Sequence, residues 1–169
     1  MYDKVYIGLG SNIGNRLQNI KKAINIISAD NKIIINKVSS IYISDPEEDD
    51  SLPEFYNAVI EVSTEYEPIE LLEALKSIEK SMGRNLKREK RYEPRIIDLD
   101  IIAFNSIVIK GDILCIPHDK MKQRKFVLIP LEEIAPDFVC PDCGLTINNM
   151  IYNLRDKDKK VEKAVKILL

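Results

Sequence analysis

Residues 96–104 read IIDLDIIAF, and their alternation is typical of a β-strand with one apolar face. The apolar row of this strand consists of Ile97, Leu99, Ile101 and Ala103. We expect this row to pack against helices, because successive side chains of a strand point to opposite faces of the sheet. Asp98 and Asp100 then project from the other face, which becomes the place to look for a functional site.

The segments before this strand predict a chain order of β-α-β-β-α-β. Strands are predicted over residues 4–9, 33–44, 55–63 and 96–104. The first helix is expected to follow Asn15 as its N-cap, and the second to begin at Pro68 and end at Gly83. This order predicts an α+β fold of the ferredoxin-like type, with an antiparallel sheet and both helices on one face. A C-terminal hairpin and a helical extension are expected to follow.

The same alternation assigns faces to the other strands. Inward-facing rows are predicted to contain Val5, Ile7 and Leu9 on the first strand and Tyr56, Ala58, Ile60 and Val62 on the third. In a ferredoxin-like sheet the first strand lies between the third and the fourth and runs antiparallel to both. One end of the sheet should therefore gather six residues of the open face. These are Gly8, Gly10, Phe55, Asn57, Asp98 and Asp100.

Two carboxylates on one strand face stand about 6–7 Å apart, and they repel each other unless a cation lies between them. Hard oxygen ligands of this kind suit Mg²⁺, particularly together with phosphate oxygens of a substrate. The alternative is an ordinary solvated strand edge, and a D-x-D pattern alone does not decide between the two.

A basic stretch, GRNLKREKRYEPR at residues 83–95, leads directly into the aspartate strand. Its cations are Arg84, Lys87, Arg88, Lys90, Arg91 and Arg95. Such a stretch is either a solvated loop or a clamp for a polyanion, and its position beside two carboxylates favours a phosphate clamp. His118 and Arg124 lie in a second cationic segment, IPHDKMKQRKF, where a histidine–phosphate hydrogen bond is expected.

Composition limits the classes to which the chain can belong. Its 169 residues are 45% hydrophobic and carry a net charge of −2, which predicts one compact domain and argues against a nucleic-acid binder. No signal peptide or membrane span is recognised, and three cysteines make no disulfide framework, so a cytoplasmic protein is expected. The glycine-rich GLGSNIG lacks the Walker A lysine and the dinucleotide spacing, and predicts only a tight strand-to-helix turn.

Cys140 and Cys143 form a single C-x-x-C pair in CPDCG. A structural zinc site would need further ligands, for which Cys115 and His118 are the remaining cysteine and histidine. Because an isolated pair is weak support for metal binding, a turn with incidental cysteines is the favoured interpretation, and zinc is the alternative.

Several blocks of the sequence resemble the 6-hydroxymethyl-7,8-dihydropterin pyrophosphokinase family. They are YIGLGSNIGNR, VSSIYISDP, PEFYNAVIEV, IEKSMGR, RYEPRIIDLDII and IPHDKMKQRKFVLIPLEEIAP, which together span most of the chain. The resemblance implies that the diphosphate of ATP is transferred to the hydroxymethyl group of the pterin, with AMP leaving, in tetrahydrofolate synthesis. We expect a single domain over residues 1–169, with a ferredoxin-like core at 1–104 and an extension at 105–169 that completes the site.

The resemblance also implies individual roles. Asp98 and Asp100 would hold two Mg²⁺ ions and, with Arg84 and Arg95, carry the catalysis. The residues implied in ATP binding are Glu79, Arg84, Lys87, Arg88, Tyr92, Arg95, Ile101, His118 and Arg124. Those implied in pterin binding are Ser44, Asp45, Phe55, Asn57, Asp98 and Phe126, with the two phenylalanines stacking on either side of the ring. The expected partners are ATP and the pterin, without nucleic acid or membrane, and the protein is expected to be a monomer.

The sequence departs from the family's pattern in three places. Tyr92-Glu93 stands where the family usually has Trp-Gly, and the loop at 47–50 is unusually acidic. The basic loop is one residue longer than in many relatives, which leaves Lys87 and Arg88 as alternatives for one position in the clamp. Two long loops beside the site suggest closure on ATP binding.

Two rival interpretations share this fold class. A nucleotidyl transferase also places paired aspartates on a ferredoxin-like sheet, but would release pyrophosphate. An RNA-recognition module needs exposed aromatic residues in a basic third strand, whereas residues 55–63 read FYNAVIEVS and contain no basic residue. At the C-terminus, Val161, Ala164, Val165 and Leu168 have helical spacing, which leaves open whether this tail docks as a helix or frays.

Overall fold

The computed structural model describes residues 1–46, 51–84, 94–154 and 159–167. Its strands are β1 (Tyr2–Ser11), β2 (Ile33–Val38), β3 (Ile41–Ser44), β4 (Phe55–Thr64), β5 (Asp98–Phe104), β6 (Ile109–Lys110), β7 (Cys115–Ile116) and β8 (Val161–Val165). Its helices are α1 (Arg16–Ser28), α2 (Pro68–Ser81), α3 (Lys125–Ile134) and α4 (Ile147–Tyr152), with a 3₁₀ turn at Met121–Gln123. The chain is therefore a mixed α/β protein. None of the helices in the described ranges has the length and apolar character needed to cross a bilayer.

The main sheet is antiparallel, and β1 lies between β4 and β5. The strand order is β5-β1-β4-β3-β8, and β2 also pairs with β4. The prediction that the first strand lies between the third and the fourth, antiparallel to both, is confirmed. The single strand predicted at 33–44 is instead divided at Ser39 and Ser40, and both halves pair with β4. The Ser39 hydroxyl accepts a hydrogen bond from the main-chain nitrogen of Val59 at 2.9 Å, which satisfies the backbone at this break.

Helices α1 and α2 pack on one face of the sheet, as predicted. Asn15 caps α1, because its Oδ1 accepts a hydrogen bond from the main-chain nitrogen of Gln18 at 3.2 Å. Pro68 begins α2, and Gly83, with a φ of +100°, follows its C-terminus. The helix-side core contains, among others, Val5, Ile7, Leu9, Ile20, Ala23, Ile60, Leu71, Leu75 and Leu99. This face is closed by aliphatic packing, so a ligand must approach from the opposite face.

The opposite face is not entirely open, because α3 and α4 cover part of it. A second buried cluster, here called the extension-side core, contains Tyr6, Val59, Ile102, Leu128, Leu131 and Met150. The prediction of both helices on one face concerned the first part of the chain and holds for α1 and α2, whereas α3 and α4 belong to the predicted extension. The uncovered remainder of this face lies at the end of the sheet where β4 and β5 begin.

Ala103 was assigned to the wrong face. The pairing of β5 with β1 shifts at Ile102, since Ile7 pairs with Ile101 and Tyr6 with Ala103. This extra residue turns Ala103 into the extension-side core and Phe104 into the helix-side core. Period-two alternation assigns faces correctly only as far as such a bulge, and no pattern in the sequence indicates where the bulge lies.

The C-terminal tail forms a strand and not a helix. Residues Val161–Val165 pair antiparallel with β3 and extend the sheet at the edge that β3 would otherwise expose. Helical spacing of four apolar residues is outweighed here by the backbone hydrogen bonds that the edge of β3 offers. Of these four, Leu168 lies outside the described residues.

Replacing Phe104 by alanine should lower the free energy of unfolding by about 3–5 kcal/mol. Its ring is fully buried and meets the ring of Tyr2 edge-on at 5.0 Å between centroids, so its loss leaves a cavity. Urea denaturation followed by circular dichroism measures the change. Val108→Ala, at a position 45% exposed, is the control and should shift the value by less than about 0.5 kcal/mol. Equal effects of the two substitutions would contradict the assignment of Phe104 to the core.

Candidate active site

A cavity of about 360 Å³ opens at the end of the sheet where β1 ends and β4 and β5 begin. All six residues that the alternation assigned to this place line it: Gly8, Gly10, Phe55, Asn57, Asp98 and Asp100. The strand register explains the convergence, because Gly10 pairs with Asn57 on one side and with Asp98 on the other. Gly8 in turn pairs with Asp100. The prediction of one cleft built from separate parts of the sequence is confirmed.

The two glycines of β1, Gly8 and Gly10, leave the floor of the cavity free of side chains. A Cβ atom on Gly8 would lie 3.1 Å from Cδ1 of Ile102, which is closer than ordinary packing allows. A Cβ atom on Gly10 would lie 3.5 Å from Oδ1 of Asn57 and would fill the space between that amide and Asp98. Any side chain at Gly10 would therefore occupy volume that a ligand needs.

Asp98 is held by two arginines. Nη1 of Arg84 donates to Oδ1 of Asp98, and Nη1 of Arg95 donates to Oδ2 at 2.7 Å. Burial alone would raise the pKa of Asp98, but the charges of Arg84 and Arg95 outweigh it and hold the pKa below its ordinary value. Asp98 is therefore ionised at neutral pH, and its carboxylate orients both arginines, of which Arg95 lines the cavity.

Glu79 anchors this arrangement from behind. It is fully buried on α2 and forms an ion pair with Nη1 of Arg84 at 2.7 Å. It also accepts hydrogen bonds from the main-chain nitrogen of Leu99 at 2.7 Å and from Nζ of Lys76 at 2.9 Å. The structure thus places Glu79 between α2, β5 and Arg84, where it supports the site without lining the cavity.

Asp100 has a different electrostatic environment from Asp98. Burial and the neighbouring Asp98 carboxylate raise its pKa above the ordinary value of 3.8, and the charges of Lys76 and Arg124 offset this only in part. The Asp98–Asp100 pair therefore carries negative charge that a cation would stabilise. Two carboxylates on one strand face, open to a cavity lined by cations, are a donor set that fits Mg²⁺.

His118 presents a hydrogen-bond donor to the cavity that it lines. Its main-chain nitrogen donates to the carbonyl of Ile102 at 2.8 Å, which ties the segment to β5. Its Nδ1 accepts a hydrogen bond from the main-chain nitrogen of Lys120 at 3.1 Å. Burial lowers the pKa of His118, and the nearby Asp100 carboxylate only partly opposes this. A neutral imidazole with Nδ1 as acceptor carries its proton on Nε2, which is then available to an anionic ligand.

The other side of the cavity combines two rings with a fixed amide. Phe55 and Phe126 both line it, and the guanidinium of Arg124 lies 5.6 Å from the ring centre of Phe126. Asn57 is buried, and its Nδ2 donates to Oγ of Ser44 at 2.8 Å, which fixes the orientation of the amide. A flat, polar-edged molecule would find apolar faces and hydrogen-bonding groups here.

The start of β4 is held in place from α1. Nη1 of Arg16 donates to the carbonyl of Glu54 at 2.7 Å, and its guanidinium lies 4.3 Å from the ring centre of Tyr56. These contacts flank Phe55 on both sides in the sequence and restrain the strand from which it projects.

Most of the residues predicted for the site meet at this cavity. Ser44, Asp45, Phe55, Asn57, Arg95, Asp98, Asp100, His118, Arg124 and Phe126 line it. Ile101 does not, since its side chain is buried in the helix-side core. Lys87, Arg88 and Tyr92 lie outside the described residues, as do the rest of 85–93 and the acidic residues 47–50.

Sequence reasoning missed several contributors. Leu52, Ile102, Asp119 and Lys120 also line the cavity. Asn12 exchanges two hydrogen bonds with the main chain of Arg95, one through its Oδ1 at 2.6 Å and one through its own main-chain nitrogen at 3.1 Å. The glycine-rich segment GLGSNIG contains Asn12, but nothing in its pattern indicates that this side chain fixes an arginine 83 residues away.

Comparison with known proteins gives a family for the chain. Residues 6–136 match the family described as 7,8-dihydro-6-hydroxymethylpterin-pyrophosphokinase. The 2-amino-4-hydroxy-6-hydroxymethyldihydropteridine pyrophosphokinase of Bacillus subtilis is 42% identical over 135 residues, which cover 80% of each protein. The protein of the same name from Haemophilus influenzae is 38% identical over 151 residues, which cover 89% of this chain and 92% of that protein.

Other relatives are much longer than this chain. Folic acid synthesis protein FOL1 of Dictyostelium discoideum is 41% identical over 150 residues, which are 89% of this chain but only 22% of that protein. Among solved structures, wild-type HPPK-DHPS of Plasmodium falciparum with SDX-DHP superposes with a TM-score of 0.67 at 17% identity, over 95% of this chain and 47% of that one. An HPPK-DHPS in complex with substrates gives a TM-score of 0.66, also at 17% identity, over 89% of this chain and 43% of that one. At this identity the structural likeness concerns the fold.

Replacing Asp100 by asparagine should raise the free energy of unfolding of the metal-free protein at neutral pH. The amide removes a charge that burial and Asp98 both disfavour. A folded-state pKa above the unfolded value contributes to stability below the ordinary pKa of 3.8, and this contribution is lost as the pH rises through the raised pKa. The gain should therefore be absent at acidic pH and appear as the pH rises.

Urea denaturation at several pH values, with a chelator present, measures this effect. Asp119→Asn, at an exposed carboxylate of the same cavity, is the control and should change the free energy of unfolding by less than about 0.5 kcal/mol at every pH. A loss of stability in Asp100→Asn at neutral pH would mean that the ionised carboxylate is well compensated, contrary to the electrostatics described above.

Proposed function

The chain belongs to the 7,8-dihydro-6-hydroxymethylpterin-pyrophosphokinase family, and from this premise we propose the reaction that the Asp98–Asp100 cavity performs. The terminal diphosphate of ATP is transferred to the hydroxymethyl group of 6-hydroxymethyl-7,8-dihydropterin, which gives the pterin diphosphate and AMP in folate biosynthesis. The observation that carries the proposal is the meeting, in one cavity, of paired aspartates, several cations and two phenylalanine rings. The aspartates suit the metal ions that accompany ATP, the cations suit its triphosphate, and the two rings suit the pterin.

Asp98 and Asp100 are proposed to hold two Mg²⁺ ions that arrive with ATP. Bound there, the metal would neutralise phosphate charge and align the reacting groups. The raised pKa of Asp100 supports this role, because burial and the Asp98 charge leave the carboxylate in need of a cation. Arg84 and Arg95 keep Asp98 ionised and hold it in a fixed orientation for a metal ligand.

The cations around the aspartates are proposed to bind the triphosphate. Arg95, His118 and Arg124 line the cavity, and the Nε2–H of a neutral His118 is a donor for a phosphate oxygen. Glu79 acts through Arg84, which it holds by an ion pair. Lys87, Arg88 and Tyr92 are proposed to complete the clamp.

The adenine is proposed to lie against β5 at Ile101. Because the side chain of Ile101 is buried in the helix-side core, the contact would be made by its main chain. β5 is the terminal strand of the main sheet, so its outer edge is where such main-chain groups would be available.

The pterin ring is proposed to lie between Phe55 and Phe126, with Asn57 at its polar edge and Ser44 and Asp45 beside it. The hydrogen bond from Asn57 to Ser44 fixes which end of the amide faces the ligand. Stacking on both faces positions the ring, and therefore its hydroxymethyl group, relative to the phosphates.

In the transfer, the hydroxyl oxygen of the pterin forms a bond to the β-phosphorus of ATP. The bond from that phosphorus to the oxygen shared with the α-phosphate breaks, AMP leaves with the electron pair, and the hydroxyl proton is lost to solvent. None of the described residues is required as a general base, since positioning and charge neutralisation by Arg84, Arg95, His118 and Arg124 supply the acceleration.

We infer further that residues 1–169 act as one domain, with a ferredoxin-like core at 1–104 and an extension at 105–169. His118, Arg124 and Phe126 support this division, because the extension supplies them to a cavity floored by core strands. The domain is proposed to act as a cytoplasmic monomer on ATP and the pterin.

The reaction is tested by incubating the protein with ATP, Mg²⁺ and the reduced pterin and separating the nucleotide products. AMP should form in step with pterin diphosphate, and a chelator should abolish both. Asp98→Ala and Asp100→Ala should each lower kcat by about 10³-fold or more, because each removes a proposed metal ligand. Asp98→Ala also removes the carboxylate that pairs with Arg84 and Arg95. Asp112→Ala, at an exposed carboxylate outside the cavity lining, should retain wild-type turnover. Release of pyrophosphate instead of AMP would indicate nucleotidyl transfer and overturn the proposal.

Substitutions of Phe55 separate pterin binding from ATP binding. Phe55→Leu should weaken pterin binding about tenfold, because it keeps apolar volume but loses the stacking face, and should leave the Kd of ATP unchanged. Phe55→Tyr retains the ring and should bind the pterin as the wild type does. Isothermal titration with each substrate gives the two constants. Equal pterin affinity in Phe55→Leu and Phe55→Tyr would exclude ring stacking at this position.

A further inference from the structure

The CPDCG segment lies outside the cavity lining and forms a tight turn between α3 and α4. Val139 and Thr146 form an isolated antiparallel bridge at its base, and the main-chain nitrogen of Cys140 donates to the carbonyl of Leu145 at 2.9 Å. Inside this bridge, the main-chain nitrogens of Cys143 and Gly144 both donate to the carbonyl of Cys140, at 3.3 and 2.8 Å. Gly144 has a φ of +69°, which closes the turn. The expectation of a turn at these cysteines is therefore confirmed.

The turn brings three ligand groups together. The Sγ atoms of Cys140 and Cys143 and a carboxylate oxygen of Asp142 all lie within 4.8 Å of one another. Cys140 is fully buried and its Sγ donates to Oδ1 of Asp142 at 2.9 Å, while Asp142 and Cys143 are exposed and leave an entry path. In a tetrahedral zinc site the metal–ligand distances are about 2.0–2.3 Å, so its ligand atoms stand about 3.5–3.8 Å apart. To reach that size, the 2.9 Å contact between Sγ of Cys140 and Oδ1 of Asp142 lengthens slightly, and the other separations, none of them above 4.8 Å, adjust.

The carboxylate of Asp142 is oriented by a second contact. Nζ of Lys122, in the 3₁₀ turn at Met121–Gln123, donates to its other oxygen, Oδ2, at 2.8 Å. Oδ1 therefore faces the thiols while Oδ2 is held from outside. This is the arrangement in which an outer hydrogen bond positions a ligating carboxylate.

We propose that Cys140, Asp142 and Cys143 bind a zinc ion, with water in the fourth position. Binding replaces the thiol proton that Cys140 donates to Asp142, and both thiols release their protons to solvent, without oxidation or reduction. The further ligands considered from the sequence do not take part, since Cys115 donates its thiol hydrogen to the carbonyl of Gly111 and His118 lines the active-site cavity. Asp142, between the two cysteines in the sequence, is the ligand that the C-x-x-C pattern did not reveal. The site is independent of the proposed reaction.

Cobalt is a suitable probe, because Co²⁺ bound to thiolates absorbs in the near ultraviolet by charge transfer and Co²⁺ bound only to carboxylates does not. The full-length protein, kept reduced and freed of metal, is titrated with Co²⁺ and then with Zn²⁺. One equivalent of Co²⁺ should produce the thiolate band, and one equivalent of Zn²⁺ should remove it. A Co²⁺ ion held by Asp98 and Asp100 would leave this band unchanged, so the two sites are distinguishable.

Three variants decide the ligands. Cys143→Ser and Asp142→Asn, both at exposed positions, should weaken Zn²⁺ binding on the order of 100-fold while retaining the wild-type circular dichroism spectrum. Cys115→Ser, which removes the cysteine outside the cluster, should bind as the wild type does. Absence of the thiolate band in the wild type would overturn the proposal, and so would a band of equal strength in Cys143→Ser. A disulfide between Cys140 and Cys143 that persists in reductant would overturn it as well.

Discussion

The pairing of Gly10 with two neighbouring strands is the constraint on which the site depends. Because β1 lies between β4 and β5, Gly10 pairs with Asn57 on one side and with Asp98 on the other, at the same level of the sheet. A ligand-recognising amide and a metal-binding carboxylate are thereby set at a distance fixed by two strand spacings, with no side chain between them. The extension then adds His118, Arg124 and Phe126 from above, so neither half of the chain builds the cavity alone.

Electrostatics in this cavity are organised by one chain of contacts. Glu79, buried on α2, holds Arg84, which holds Asp98, which is also held by Arg95. The two arginines balance the negative charge of Asp98, whereas the charge of Asp100 is balanced only in part. The pKa of Asp98 is therefore lowered and that of Asp100 is raised. A buried ion-pair network of this kind is costly to break, since removal of any one member leaves a buried charge without its partner. It fixes geometry in advance of the substrates, which is what a reaction driven by positioning and charge neutralisation requires.

How far the sequence predicts this structure depends on the range of the interactions involved. Alternation along a strand depends only on neighbouring residues. It correctly predicted that Asp98, Asp100, Phe55 and Asn57 lie on one face and at one end of the sheet. It failed at Ala103, because a bulge is settled by pairing with Tyr6 and Ile7 nearly a hundred residues away. It failed again in the tail, where the exposed edge of β3 outweighed helical spacing. The family resemblance implied Glu79 in ATP binding, and only the structure shows that Glu79 forms an ion pair with Arg84.

The sequence by itself determined the order of the main strands and of the first two helices, the face on which the paired aspartates lie, and the family, because each of these depends on local periodicity or on contiguous motifs. Only the tertiary structure decided which groups compensate one another: that Asn12 fixes Arg95, that Asp98 is balanced and Asp100 is not, and that Lys122 orients Asp142 beside two cysteines. The physical reason is that charge compensation and ligand geometry depend on distances between atoms, and residues far apart in the chain acquire those distances only when the sheet is paired and packed.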